Sequence, residues 1–229
     1  MHPARPAPDC TAILVAAGSS RRIGMDKLAW PLAGVPVLRR ALDALLAADS
    51  ITAVVVVCPP ERWRVLDGAA FSKPVTRVDG GATRQDSVAC GLAALAPGTT
   101  LVAVHDAARP LVAPSDIDRC VAAAIEHRAA SLARRASETM QRSDADDFST
   151  VTVSRDHLWC METPQVFATG LLRDACAAVA ARGLAVTDEV SAVQALGARV
   201  KFIESRQPNL KITTPADLAL AAALLTNPS

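Results

Sequence analysis

The sequence predicts an α/β protein, a doubly wound and mostly parallel sheet carrying a β-hairpin arm. Two observations lead there. Short apolar runs alternate with helix-length patterns through the first half of the chain, the signature of a parallel sheet covered on both faces. From about residue 131 to 160 the alternation gives way to short extended pieces before helices resume. At 229 residues with 51% hydrophobic content, the chain fits a single domain, 1–229, with an arm at about 136–160.

The elements follow in order. TAILVAA at 11–17 reads as a buried strand. Arg5 ahead of the apolar stretch from Cys10 to Gly18 imitates a signal peptide, but three prolines and Asp9 precede it. Its length of about nine residues is at the lower limit of a signal core and well short of a membrane span. A helix near 36–48, the strand ITAVVVV at 51–57, a helix near 60–67 and a short strand from Val75 to Val78 come next. A helix with Val88, Leu92 and Leu95 on its apolar face leads to the strand LVAV at 101–104 and a helix near 115–128.

The region 131–160 reads as a hairpin excursion, with alternation in Thr150, Val151, Thr152, Val153 and Ser154 and a polar turn from Ser143 to Asp147. Helices near 168–182 and 187–196 are each stopped by a glycine, Gly183 and Gly197, suited to a left-handed cap. The last helix has Thr214 as N-cap, Pro215 at its first position and Asp217 in the first turn to complement the dipole.

Composition excludes several functions. Twenty-four Lys and Arg against 23 Asp and Glu leave a formal net charge of +1, which gives no broad footprint for nucleic acid or an acidic membrane. The six cysteines form no C-x-x-C pair and the four histidines complete no metal-ligand spacing, so reduced cytosolic thiols and a cytoplasmic protein are expected. The ligands of any metal are not readable from the sequence.

In doubly wound folds ligands sit beyond the carboxyl ends of the strands, which directs attention to the segments after residues 17, 78 and 104. The first, AAGSSRRIGMDK at 16–27, joins small residues to Arg21, Arg22 and Lys27. Its amides could cradle phosphates, although the same residues fit a solvated basic turn. It is neither G-x-G-x-x-G nor a P-loop, which weakens a dehydrogenase reading. The second, DGGATRQDSV at 79–88, places paired glycines before Arg84 and Ser87, either to read a base edge or as an ordinary helix start. The third, HDAARP at 105–110, sets Asp106 at a strand end, where it could hold a cation or substrate hydroxyls or cap a turn. His105 alone reads as a satisfied core imidazole.

Together with the lysine of DK, ETM, SRDHLW, TPQ, TDE and NLKITTPADL, these loops make the chain resemble the 2-C-methyl-D-erythritol 4-phosphate cytidylyltransferases of the non-mevalonate isoprenoid pathway, from about Thr11 to Leu225. The resemblance implies a Rossmann-like nucleotidyltransferase that joins CMP from CTP to a small sugar-alcohol phosphate and releases pyrophosphate, with Mg²⁺ or another divalent cation. It implies that Arg22 and Lys27 stabilise the transition state and that Arg155 and Lys211 position the sugar phosphate. Asp106, Arg109 and Thr139 are implied as further substrate contacts. The main chain of Ala16, Ala17, Gly18 and Gly81, with the Ser87 side chain, is implied as the cytosine reader. The arm is implied to pair with its twin in a homodimer and to deliver Thr139 and Arg155 to the neighbouring site.

The chain departs from the family pattern at Asp26 and Leu28, where Pro and Gln usually flank the lysine, and the loop around Lys27 is open to a different setting. It departs again at Arg134, Arg135, Ala136 and Glu138, where an Ala-Pro-Val run and Asp are common, and at Gln141 in place of a lysine. Alternatives are a molybdenum-cofactor or ribitol-5-phosphate nucleotidylyltransferase and a non-catalytic CTP-binding regulator.

Overall fold

A computed structural model describes residues 9–18 and 26–226. In chain order the strands are β1 (Cys10–Val15), β2 (Pro31–Leu32), β3 (Val35–Pro36), β4 (Ile51–Val57), β5 (Val75–Val78), β6 (Leu101–Asp106), β7 (Ala129–Arg135), β8 (Met140–Ser143), β9 (Ser149–Val153), β10 (Trp159–Ala168) and β11 (Lys201–Glu204). The helices are α1 (Val37–Ala47), α2 (Pro60–Trp63), α3 (Arg84–Ala93), α4 (Pro114–His127), α5 (Thr169–Ala181), α6 (Glu189–Gln194) and α7 (Pro215–Thr226), and a 3₁₀ turn at Arg64–Leu66 follows α2.

Seven strands form one sheet in the order β11-β7-β10-β6-β1-β4-β5. All pairings are parallel except those that β10 makes with β6 and β7. Strand β1 is an interior strand, between β6 and β4, and shows why such a strand reads as a largely apolar run. Cys10, Ala12 and Leu14 point into the core under α1, α4 and α7, whereas Ile13 points into the core under α3, α5 and α6. Both faces are dry, so both sets of alternating side chains must be apolar.

The cap expectations hold. Thr214 accepts from the Asp217 amide at 3.3 Å, and Gly183 and Gly197 adopt φ of 59° and 77°. The expectation for 131–160 needs correction. Only β8 and β9 form a separate hairpin, whereas β7 and β10 are interior strands of the main sheet. Strand β7 is disguised by its small residues, and β10 by Pro164, which usually excludes a central strand. Here the proline falls where the β10 register against β7 shifts, between Met161 and Gln165, and costs no ladder bond that the sheet needs. Strand β11 was not anticipated, and the helix expected near 60–67 is a single α-helical turn followed by the 3₁₀ turn.

The substitutions before Thr139 do not disturb β7. Arg134 and Arg135 pair in register with Cys160 and Trp159. The Arg135 guanidinium stacks 4.5 Å from the Trp159 ring centroid and lies 3.5 Å from Glu204. Arg134 approaches Glu162 at 3.9 Å. Gln141 donates across the hairpin to Thr152 at 2.9 Å. No helix among the described residues is long and apolar enough to cross a membrane.

Candidate active site

Asp106 ends β6 and lines a cavity of about 340 Å³ together with Arg84, Arg109, Thr163, Gln165 and Lys211 among others. Its backbone amide donates to Thr163 Oγ1 at 3.1 Å, which fixes the residue independently of its side chain. Both carboxylate oxygens have cationic partners. Lys211 Nζ donates to Oδ2 at 2.6 Å, and Arg84 Nη2 and Nε donate to Oδ1 at 3.1 and 3.2 Å. The remaining edge of the Arg84 guanidinium makes a bidentate pair with Glu189 at 2.6 and 2.9 Å.

These contacts order the protonation states. Burial pushes the Asp106 carboxyl up, but Arg84, Lys211 and Arg109 together overcome it and hold the group well below the usual carboxylate range. Glu189 is also buried and has Arg84 as its cationic partner, but burial, with the charges of Asp106 and Asp188 nearby, leaves its pKa raised. Arg84, between two carboxylates, stays protonated: burial lowers its pKa, and Glu189 and Asp106 raise it further than burial lowers it. His105 is fully buried, with Nε2 at 3.1 Å from the Arg109 carbonyl and Nδ1 at 2.9 Å from Thr163 Oγ1. Burial holds it neutral, with a pKa of about 4, as befits a core imidazole.

The first and second loops meet beside this cavity. Ala16 continues from β1 by donating to the Val57 carbonyl at 2.9 Å. A Cβ on Gly80 would stand 2.4 Å from the Ala17 Cβ and 2.9 Å from Ser87 Oγ, so the two loops touch only because residue 80 has no side chain. Gly81 is equally constrained, since its Cβ would stand 2.2 Å from Asp86. Its amide is engaged rather than exposed, donating to Ser87 Oγ at 3.2 Å. Ser87 lies inside the first turn of α3, and the N-cap is Thr83, which forms a reciprocal capping box with Asp86.

Lys27 reaches the same region. Its Nζ donates to the carbonyl of Ile212 at 2.8 Å, immediately after Lys211 in the chain. Arg109 donates to the carbonyls of Asn209 and Met161 at 2.7 and 3.2 Å, while its buried Nε has no partner among the described atoms. Arg22 lies outside the described residues. Arg155 and Thr139 sit on the exposed arm, away from the cavity lining, and Arg155 donates to the Ser137 carbonyl.

Sequence reasoning missed Glu189, Thr163 and the bridging role of Arg84. Each lies inside a motif that had been singled out, TDE, TPQ or DGG with its arginine, but pairing across 105 residues, as between Arg84 and Glu189, leaves no trace in local spacing. Among the described residues no cluster of three or more His, Cys, Asp or Glu could hold a metal ion.

Lysines and arginines held at the carboxyl ends of a doubly wound sheet define an α/β protein with an anion-receiving cleft where such folds take their ligands. The profile of the 2-C-methyl-D-erythritol 4-phosphate cytidylyltransferase family matches residues 10–227. The enzyme of that name from Pelotomaculum thermopropionicum is 40% identical over 221 residues, covering 93% of each chain. Among solved structures, the 4-diphosphocytidyl-2C-methyl-D-erythritol synthase of Anaerococcus prevotii superposes with a TM-score of 0.86 at 26% identity, covering 96% of this chain and all of that one. The 2-C-methyl-D-erythritol 4-phosphate cytidylyltransferase of Thermus thermophilus gives 0.77 at 33% identity over the same shares. The chain belongs to the 2-C-methyl-D-erythritol 4-phosphate cytidylyltransferase family.

Proposed function

We propose that this protein transfers CMP from CTP to 2-C-methyl-D-erythritol 4-phosphate, giving 4-diphosphocytidyl-2-C-methyl-D-erythritol and pyrophosphate, and so serves isoprenoid precursor biosynthesis. The observation that carries this reading is the convergence of Lys27, Lys211, Arg84 and Asp106 at the strand ends of a chain whose family match spans residues 10–227. An oxygen of the acceptor phosphate attacks the α-phosphorus in line as the bond to the bridging oxygen of the β-phosphate breaks, and the electron pair leaves with pyrophosphate. A phosphate nucleophile is ionised at neutral pH, so no general base is needed. The work left to the protein is alignment and charge stabilisation.

In this reading Lys27 and Arg22 meet the charge that develops around the α-phosphorus. Lys211 receives the acceptor phosphate, since its hydrogen bond to Asp106 uses one of three ammonium donors. Asp106 acts by orienting that ammonium and by contacting acceptor hydroxyls, with Arg109 beside it. Ala16, Ala17, Gly18, Gly81 and Ser87 read the cytosine. The protein offers no carboxylate cage among its described residues, and both Asp106 oxygens are engaged. A divalent cation such as Mg²⁺ would accompany the triphosphate and would supply charge that offsets the repulsion between the two polyanions, beside Lys27 and Lys211.

Residues 1–229 are read as one domain, and the arm at about 136–160 as a dimer element. Met140, Phe148 and Val151 are exposed on it, an apolar set that a second subunit would cover, and Arg155 and Thr139 would then serve the neighbouring site. The test is pyrophosphate release from CTP, which should require both 2-C-methyl-D-erythritol 4-phosphate and Mg²⁺. Turnover of ribitol 5-phosphate or a molybdopterin acceptor in its place, or CTP binding without release, would overturn the assignment.

A further inference from the structure

We infer that Asp26 and Arg62 form a clasp that positions Lys27 against the nucleotide end of the site, so that Arg62, remote in sequence from every motif, is a positioning residue for the reaction. The inference rests on the reading of Lys27 as a catalytic group. Arg62 extends from α2, beyond the carboxyl end of β4, and its side chain is 8% exposed. Its guanidinium joins segments that the chain keeps apart. Nη1 donates to the carbonyl of Ala16 and, at 3.1 Å, to that of Gly18, while Nε donates to Asp26 Oδ2 at 2.9 Å. The second oxygen of Asp26 accepts the Leu28 amide at 3.1 Å. Lys27 is therefore flanked by two residues tied to the same carboxylate, and that carboxylate is tied through Arg62 to the end of β1.

Burying a guanidinium costs desolvation, and an apolar side chain of similar size would fill the space at less cost. What the arginine adds is connection: three acceptors from two parts of the site, taken by donors in one rigid plane. The pairing also explains the departure at position 26. A proline there fixes its own φ and so sets the turn before the lysine through covalent geometry. Aspartate fixes nothing by itself. In this chain the ion pair supplies the constraint that the ring would have supplied. It also directs the Asp26 charge toward Arg62, leaving Lys27 on the Ile212 carbonyl.

The two halves of the clasp predict different kinetics. Asp26→Asn keeps Arg62 on the Ala16 and Gly18 carbonyls but removes the charge that anchors the turn. It should lower kcat about tenfold, with the Kd for CTP changed by less than about threefold, because misplacement acts on alignment rather than on base reading. Arg62→Ala releases both ends and should lower kcat at least as far and also weaken CTP binding by about tenfold. The double variant should be no slower than Arg62→Ala alone, since a severed clasp cannot be severed twice. Steady-state pyrophosphate release and calorimetric titration with Mg·CTP give these numbers. Thermal melts assign any loss that follows the folded fraction to structure, which would count against the clasp. Because Asp26 is one-third exposed, its variant tests the inference even if Arg62→Ala fails to fold. Unchanged kcat in Asp26→Asn, or losses that multiply in the double variant, would overturn the inference. A wild type that binds CTP without releasing pyrophosphate would refute the functional reading instead, and the clasp would then be judged on the affinity lost in Arg62→Ala.

Discussion

The floor of the cleft and the hairpin arm carry charged residues of similar type but hold them in opposite ways. Around Asp106 the ends of β6, α3, α6 and the segment before α7 each contribute one member of a continuous chain, Glu189–Arg84–Asp106–Lys211, whose carboxylates are buried. Along β8 and β9 nearly every residue is exposed, and the polar contacts recorded there run mainly from one strand of the hairpin to the other. The floor is set by many elements at once and can preorganise charge. The arm is set by one turn, and needs something outside itself to fix Arg155 to a tolerance useful in catalysis. One chain supplies the first and, in the dimer reading, a second chain supplies the other.

The largest effect should come from the cations assigned to the transition state. Lys27→Ala, and likewise Arg22→Ala, should reduce kcat by roughly 10² to 10³ with the fold retained, the usual cost of one preorganised contact to developing charge. Retention of more than half the activity would remove that residue from its role. Next is the floor itself. Arg84→Ala leaves Asp106 and Glu189 facing each other without their shared cation and should lower unfolding free energy by roughly 3 kcal/mol, read from denaturant midpoints. A loss within the range of ordinary surface substitutions would show that the network is not the rigid member of the comparison.

The arm is tested by mixing. If Arg155 serves the neighbouring site, Arg155→Ala and Lys27→Ala are each nearly inactive, but random reassembly makes half the dimers mixed, each with one intact site, and about a quarter of wild-type activity returns. Absence of recovery after verified subunit exchange would assign each site to one chain.

The most gradual effect is on pH. His105 keeps a folded pKa of about 4 against an ordinary 6.5, so between those values the unfolded chain binds a proton that the folded chain excludes. Stability should therefore fall as pH drops from 6.5 toward 4, by at most about 1.4 kcal/mol per unit. Asp106, whose pKa is also lowered but by its cations, adds its own loss only as pH falls below its ordinary value of 3.8. Glu189, whose pKa burial raises, acts in the opposite direction above its ordinary value of 4.5, so the His105 contribution is read as the difference between the wild-type and His105→Gln stability curves. No difference in slope between pH 6.5 and 4 would show that His105 is not buried as a neutral imidazole.

The sequence by itself determined the parallel half of the sheet, because β1, β4 and β6 are buried on both faces over most of their length and are therefore largely apolar runs. It also determined the helix caps, which depend on residues three or four apart, and the three loops where chemistry collects. It assigned β7 and β10 to an excursion because small residues and Pro164 mask interior strands, and only pairing with β6 and β11 reveals them. Lys27, Asp106 and Lys211 were legible as charges at strand ends or in a matching motif. Their partners were not. Glu189 on Arg84, Ile212 on Lys27 and Arg62 on Asp26 are contacts across 105, 185 and 36 residues, and a one-dimensional pattern contains no term for them. Only tertiary structure decides which opposite charge lies within hydrogen-bonding distance, and that distance fixes both ionisation and orientation.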